Sequence, residues 1–144
     1  MQTLIGAILV LAFAACGGGS AQPINISNSP VTVDTGAGDP AGGVATTLIV
    51  QPNGSATLTY QTSPPQVHAM TLPSSLVSKF YNDLAGAIPL SSLPRATGPN
   101  AFAGSLIISV AGQTSPNILG DSGIAGTLGV DVANIDNEFP ARSP

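Results

Sequence analysis

The sequence predicts an α+β fold: a small antiparallel sheet with two helices packed on one face, in the order ββαββα. Two β-prone runs flank the turn at residues 52–54, apolar residues recur at helical spacing over residues 76–88 and 128–139, and an alternating run lies between the helices. Period-2 alternation indicates strands and a 3.6-residue repeat indicates helices. An antiparallel sheet with helices on one face buries both kinds of apolar stripe together.

The first hairpin admits two registers. A two-residue Asn-Gly turn pairs Ile49 with Leu58, whereas a three-residue loop with Gly54 in the left-handed conformation pairs Leu48 with Leu58. Because adjacent residues of a strand face opposite sides, only the second register gathers the apolar side chains on one face. That register also predicts the pairs Val50–Ala56 and Thr46–Tyr60, and it leaves Ile49 exposed.

Two helices and a second strand pair complete the predicted domain. Thr71 or Ser74 caps the first helix, Pro73 suits its first turn and Pro89 ends it. Residues 105–110 alternate as a strand, and residues 113–119 return after a turn. One face of the second helix is marked by Leu128, Val132, Ile135 and Phe139.

The N-terminal region reads as an export signal followed by a tether. Residues 4–15 are apolar and uncharged, and twelve residues are fewer than the roughly 20 that a membrane-spanning helix needs. Residues 1–15 are therefore predicted to be a signal peptide. Residues 16–43, rich in Gly, Pro, Asn and Ser, are predicted to be a flexible tether with one short strand at 30–34. A single domain is expected over residues 44–144.

The end of the apolar run, Ala14-Ala15-Cys16 followed by Gly and Ser, resembles the lipobox of bacterial lipoproteins. The resemblance implies lipidation of Cys16, cleavage before it and anchoring to a bacterial membrane, facing the periplasm or the cell surface. Gly17 implies the outer membrane, by analogy with enteric lipoproteins. Phe13 departs from the usual aliphatic residue, and residues 1–3 lack a basic side chain. Ordinary cleavage after Ala14, leaving Cys16 as a free thiol, stays open.

Composition excludes several classes of function. The chain has one cysteine, one histidine and three basic residues, and 7% of its residues are charged. A single cysteine allows no internal disulfide and, with one histidine, no thiolate or multi-histidine metal site. Three basic residues cannot form a phosphate-binding stripe, which argues against nucleic acid. Nothing in the sequence predicts a metal, a cofactor or a small-molecule ligand.

The domain itself resembles small lipoproteins of soil bacteria, a group without an assigned activity. The resemblance covers about two thirds of the chain and rests on residues 51–57, 72–73, 79–85, 112–117 and 131–135. It implies a lipoprotein domain and no particular chemistry.

Asp34-Thr35-Gly36-Ala37 matches the short motif of retropepsin-like aspartic proteases, in which two aspartates from a dimer share a proton. Residues 31–33 would supply the preceding strand, and residues 118–120 resemble the later hydrophobic-Gly element. Against this, residues 38–43 contain no strand to continue the fold. An Asp/Gly turn in the tether is the favoured interpretation.

Residues 120–123, Gly-Asp-Ser-Gly, resemble the nucleophile turn of trypsin-like serine proteases. His68, Asp83 and Ser122 also follow that family's chain order. However, a triad needs base and nucleophile within hydrogen-bond reach, and the sequence places Asp83 on a helix. The favoured interpretation is a loop, with His68 on a surface strand or loop.

The remaining charged residues are interpreted as solvated. Asp131, Asp136 and Glu138 lack the loop pattern of a calcium site, so a solvated helix face explains them. Lys79 and Asp83, four residues apart, are expected to form a surface pair of small value.

The sequence thus predicts a lipid-anchored envelope protein with a binding or structural role and no catalytic residues. A second hypothesis is an inhibitor or chaperone-like module for an envelope enzyme, which requires an exposed apolar patch or a free sheet edge. A third is an aspartic protease, which requires Asp34 beside its symmetry mate at a twofold axis.

Replacement of Cys16 tests the anchor. The unaltered chain, expressed in a bacterial host, is expected to begin at Cys16, carry a diacylglyceryl mass increment and enter the detergent phase. Cys16→Ala should lose both properties. Intact mass after detergent partitioning measures this, and a lipid-free chain beginning at Ala15 or later would contradict it.

Overall fold

Apolar side chains at alternate positions of four strands fall on one face of an antiparallel sheet, and two helices cover that face. The computed structural model describes residues 24–36, 43–97, 105–119 and 123–141. Within them the elements are β1 (Val31–Thr35), β2 (Thr46–Val50), β3 (Ser55–Tyr60), β4 (Gln66–Thr71), α1 (Ser74–Gly86), β5 (Ser105–Val110), β6 (Gln113–Thr114), β7 (Ile118–Leu119) and α2 (Gly123–Asp136), with a 3-10 turn at Leu90–Ser92.

The prediction of an α+β fold with an antiparallel sheet and two helices is confirmed, but the order ββαββα is wrong. Four strands precede α1 and three lie between α1 and α2. The strands lie in the order β4-β3-β2-β1-β5-β6, and β7 pairs with β5 beyond the end of β6. The predicted sheet was too small because two strands, β1 and β4, lie in segments rich in Pro, Gly and polar residues.

β1 is a central strand. It pairs antiparallel with β2 on one side and with β5 on the other, and Val31 and Val33 are fully buried. The sequence predicts a short strand here but assigns it to the tether of residues 16–43. The sheet therefore includes a strand that precedes residue 44, where the sequence analysis begins the domain.

The β2–β3 hairpin has the predicted three-residue loop. Leu48 pairs with Leu58, the N–H of Gln51 donates to the carbonyl of Ser55 at 2.8 Å, and Gly54 has a φ of 90°. Glycine adopts this left-handed conformation without steric cost. The pairs Val50–Ala56 and Thr46–Tyr60 are also confirmed, although Ile49 is half-buried and not exposed.

α1 buries Val77, Phe80 and Leu84 against the sheet and against α2. Its N-cap is Pro73, and no side chain caps it, so the predicted capping by Thr71 or Ser74 is wrong. The chain leaves the helix at Ala87, whose N–H donates to the carbonyl of Leu84. Pro89 follows two residues later, as expected of a residue that cannot continue a helix.

The second half of the sheet begins with a tight hairpin. Ala111 and Gly112 both have positive φ, 49° and 77°, which is the pattern of a two-residue type I′ turn. The return segment divides into β6 and β7. The apolar positions predicted for the last helix, Leu128, Val132, Ile135 and Phe139, are all buried, although α2 ends at Asp136 and Phe139 lies in the turn that follows.

Tyr81 connects α1 to the sheet. Its hydroxyl lies 2.8 Å from the carbonyl oxygen of Ser29, in the turn before β1, and 3.0 Å from that of Val50, at the end of β2. The hydroxyl is the hydrogen-bond donor to both. Burial raises the pKa of Tyr81 to about 12, so the hydroxyl, which is already protonated at neutral pH, stays a donor in mildly alkaline solution as well. The helix is therefore fixed in orientation to the two strands that meet at this end of the sheet.

Tyr81→Phe is expected to lower the free energy of unfolding by about 1–3 kcal/mol, because it leaves two carbonyls without their donor. Tyr60→Phe is the matched control, since its half-buried hydroxyl forms no hydrogen bond among the described residues. Urea denaturation of both variants measures the difference. Equal losses of stability would contradict the assigned role.

Candidate functional site

Asp34 lies within a strand and not in a catalytic loop. It is the fourth residue of β1, opposite Thr47 and Ile107 in the neighbouring strands. Its side chain is exposed on the sheet face away from the helices, and its Oδ1 accepts a 2.7 Å hydrogen bond from the hydroxyl of Thr47. Residues 118–119, the second half of the proposed protease motif, pair with β5 and are separated from β1 by that strand.

The residues of the proposed serine triad do not assemble in the part of the chain that the structure describes. His68 lies on β4, with its ring edge-on to Tyr60 at a centroid distance of 5.8 Å. Asp83 lies on α1, where it binds Lys79 and not His68. Ser122 and Asp121, as well as the lipidation candidate Cys16, lie outside the described residues.

A three-residue ion cluster joins the two helices. The Lys79 Nζ is 2.6 Å from Asp83 Oδ2 on α1 and 2.6 Å from Asp131 Oδ1 on α2. The Asp131 side chain is completely buried, while that of Lys79 is 52% exposed. Burial raises the pKa of Asp131, whereas the hydrogen bond from Lys79 lowers the pKa of Asp83.

The predicted Lys79–Asp83 pair is present and accessible to solvent, whereas the prediction of a solvated Asp131 is wrong. Helical periodicity places Asp131 next to the buried Val132 and on the side that faces α1. A buried carboxylate needs a cation partner, and Lys79 supplies it. The cluster links α1 to α2. None of its residues lines the clefts described below.

Asp136, at the end of α2, is also not solvated. It is half-buried and its Oδ1 has no hydrogen-bond partner among the described residues. Burial raises the pKa of Asp136 to about 6. Only Glu138 of the three acidic residues is exposed as predicted. In the described residues no group of three His, Cys, Asp or Glu side chains is arranged to hold a metal ion.

Two adjoining clefts lie along the first turns of α1. The first has a volume of about 290 Å³ and is lined by Ser27, Tyr81 and Asn82. The second has a volume of about 240 Å³ and is lined by Asn53, Gly54 and Ser74. Pro52, Val77 and Ser78 line both clefts. A third recess of about 210 Å³ contains Asp34 and Ile107. The two clefts on α1 are lined by residues that are uncharged at neutral pH, so they lack the convergent charged groups that mark a catalytic pocket.

The described sheet ends at β4, which pairs only with β3. The strand has six residues, Gln-Val-His-Ala-Met-Thr, with no lysine, acidic residue, proline or glycine. Val67, Ala69 and Thr71 are exposed, and Val67 retains 61% of its accessible surface. A long, uncharged edge with exposed β-branched side chains is a template on which another strand can pair.

The opposite edge is protected. β6 and β7 have two residues each and are separated by a bulge at Ser115, whose Oγ accepts from the Ile108 N–H at 2.9 Å. Pro116 follows. The Ala96 N–H donates to the carbonyl of Asn117 at 2.7 Å, so a neighbouring segment covers this side. Short strands, a bulge, a proline and a covering loop are devices that prevent edge pairing, and none of them is found on β4 in the part of the chain that the structure describes.

Comparison of the chain with protein-family models, curated proteins and solved structures finds no match. Among the described residues, neither helix has the length and apolar content that crossing a bilayer requires.

The sequence predicts a surface strand or loop around His68 and does not distinguish the two, so the free edge at β4 was not predicted. Pro64 and Pro65 precede it and His68 interrupts its apolar pattern, so periodicity gives no clear signal. The available indication was the presence of the β-branched Val67 and Thr71 in a short segment between two proline-containing stretches.

The raised pKa of Asp136 makes stability depend on pH. A carboxyl whose pKa is higher in the folded than in the unfolded protein stabilises the fold below the unfolded value, near 4, and this stabilisation is lost as the pH rises through about 6. Asp136→Asn should remove this loss and raise stability at pH 7 by about 1–2 kcal/mol, after allowance for partial solvent screening. Glu138→Gln is the exposed control.

Chemical denaturation of the parent and both variants between pH 4 and pH 7 measures the effect. The difference between the parent and Asp136→Asn isolates this carboxyl from the others. An unchanged pH dependence in Asp136→Asn would contradict the assignment.

Proposed function

We propose that this chain is a lipid-anchored bacterial envelope protein that acts without catalysis, by binding an extended polypeptide strand along β4. The observation that carries the proposal is the contrast between the free β4 edge and the protected β6/β7 edge. An unprotected sheet edge promotes aggregation. The β4 edge is unprotected although the β6/β7 edge is protected, and this difference favours a binding role for β4.

Strand addition would combine two kinds of contact. Main-chain hydrogen bonds along β4 provide affinity, and alternate side chains provide selectivity. On one side the incoming strand would meet Val67 and Ala69, and on the other the half-buried His68 and Met70. The site is uncharged, so it suits a segment with small or β-branched uncharged residues.

The anchor is the second part of the proposal. It is supported by the apolar run of residues 4–15 and by Cys16 with its small neighbours. An anchor confines the binding edge to a membrane surface, which raises its effective concentration for partners on the same surface. Cys16 is the lipidation site in this proposal.

The inhibitor or chaperone-like role for an envelope enzyme uses the same edge and differs only in the partner. A catalytic role receives less support. Asp34 accepts a hydrogen bond from Thr47 within the sheet, and Asp83 forms an ion pair with Lys79.

A photo-crosslinking residue at position 67 tests strand addition in living cells. In the full chain, a probe replacing Val67 should give light-dependent adducts, because this side chain borders the incoming strand. A probe replacing Thr57, on β3 one strand inside the edge and paired with Ala69, is the matched control. It should give few adducts.

Adding Ala69→Pro to the Val67 probe should abolish the adducts, since it removes a hydrogen-bond donor that faces away from β3 while edge strands tolerate proline. If the proline variant loses its native circular dichroism spectrum, Ala69→Lys replaces it as the blocking change. Equal adduct yields from positions 67 and 57, or adducts that survive the blocking change, would refute strand addition.

A further inference from the structure

The pairing of β3 with β4 determines which backbone groups of β4 are free. The Leu72 N–H donates to the carbonyl of Gly54, so this pair is a hydrogen-bonded one. Hydrogen-bonded pairs alternate along an antiparallel ladder, so Met70 and His68 also bond to β3. The N–H and C=O groups of the residues between them point outward, and these are Val67, Ala69 and Thr71.

Two prolines restrict how this edge can pair with itself. Pro65 and Pro73 lie at equal distances on either side of Ala69. An antiparallel self-pairing centred on Ala69 pairs Val67 with Thr71 of the second copy, so all three outward residues find donors and acceptors. A register centred on His68 would pair Thr71 with Pro65 of the second copy. A register centred on Met70 would pair Val67 with Pro73 of the second copy. Proline has no N–H to donate, so the Ala69 register is the best one.

The side chains are compatible with this register. On the exposed face, Ala69 would meet its own copy and Val67 would meet Thr71, small and β-branched neighbours without charge. On the helix side, His68 would lie opposite Met70 of the second copy, and a sulfur–aromatic contact of this kind is favourable. No like charges oppose each other, which is the usual obstacle to self-association of a sheet edge.

We propose that the strand that binds β4 is β4 of a second copy of this chain, in a twofold dimer centred on Ala69. This inference rests on the proposed strand addition and specifies its partner. The three outward pairs would exchange about six backbone hydrogen bonds. The two sheets become one continuous sheet, and both helical layers lie on the same side of it. Since β6 and β7, at the other edge of the described sheet, are protected, we expect assembly to stop at two copies.

The dimer has a further consequence for the protease hypothesis. β1 lies three strands from β4, so the two Asp34 residues would be about 34 Å apart. This dimer cannot bring them together to share a proton.

A single engineered cysteine tests the dimer axis. In the full chain in bacterial membranes, Ala69→Cys places two sulfur-bearing residues on the axis with Cα atoms about 5.5 Å apart, within the range of a disulfide. Thr57→Cys, in the same row but one strand inside, leaves about 15 Å between them. We expect roughly tenfold more disulfide-linked dimer from Ala69→Cys after mild oxidation. The parent chain controls for Cys16, its only cysteine.

Sedimentation of the detergent-solubilised chain gives an independent measurement. The parent should sediment as a dimer and Ala69→Lys as a folded monomer, since two ammonium groups would face each other on the axis. A parent that sediments as a monomer, with no more linkage from Ala69→Cys than from Thr57→Cys, would overturn the dimer. If the Val67 probe then still captures another protein, strand addition stands and only the second-copy assignment fails. If it captures nothing, both fail.

Discussion

The fold depends on the insertion of β1 between two halves of the sheet. β2, β3 and β4 form a meander, whereas β5 forms the second half of the sheet with β6 and β7, which both pair with it. β1 is the only described strand that pairs with both halves, through Val31–Val50 on one side and Val31–Val110 on the other. The complete burial of Val31 and Val33 follows from this position. Tyr81 stabilises the contact between β1 and β2, since its hydroxyl donates hydrogen bonds to the segment before β1 and to the end of β2.

The two edges of the sheet differ because the connections around them differ. The segment between α1 and β5 returns along the β6/β7 side, where the Leu90 N–H donates to Gln113 Oε1 and Ala96 pairs with Asn117. Nothing in the described residues returns along β4, because α1 follows it directly and crosses to the helical face. One edge of the described sheet is therefore covered by the chain itself, and no described segment covers the β4 edge.

Local rules predicted those parts of the fold in which burial and turn geometry agree. The β2–β3 register followed from Gly54 and from the need to collect Leu48 and Leu58 on one face, and the buried stripes of both helices followed from their spacing. The central strand β1 was assigned to the tether because its neighbours along the chain are Gly, Pro and Asn, and its pairing partners are distant in sequence. Asp131 was assigned to solvent because no local pattern reveals a partner 52 residues away.

The central position of β1 has a consequence for the order of folding. The strand precedes the other strands along the chain, yet its pairing with β5 joins residues as far apart as Val31 and Val110. Contacts of such large sequence separation form slowly. The β2–β4 meander is built from local hairpins with much shorter sequence separations. We therefore expect this meander to form before β1 pairs with β5. Until that pairing is made, one side of β1 and the outer side of β4 both lack a partner strand, and completion of the sheet covers only β1.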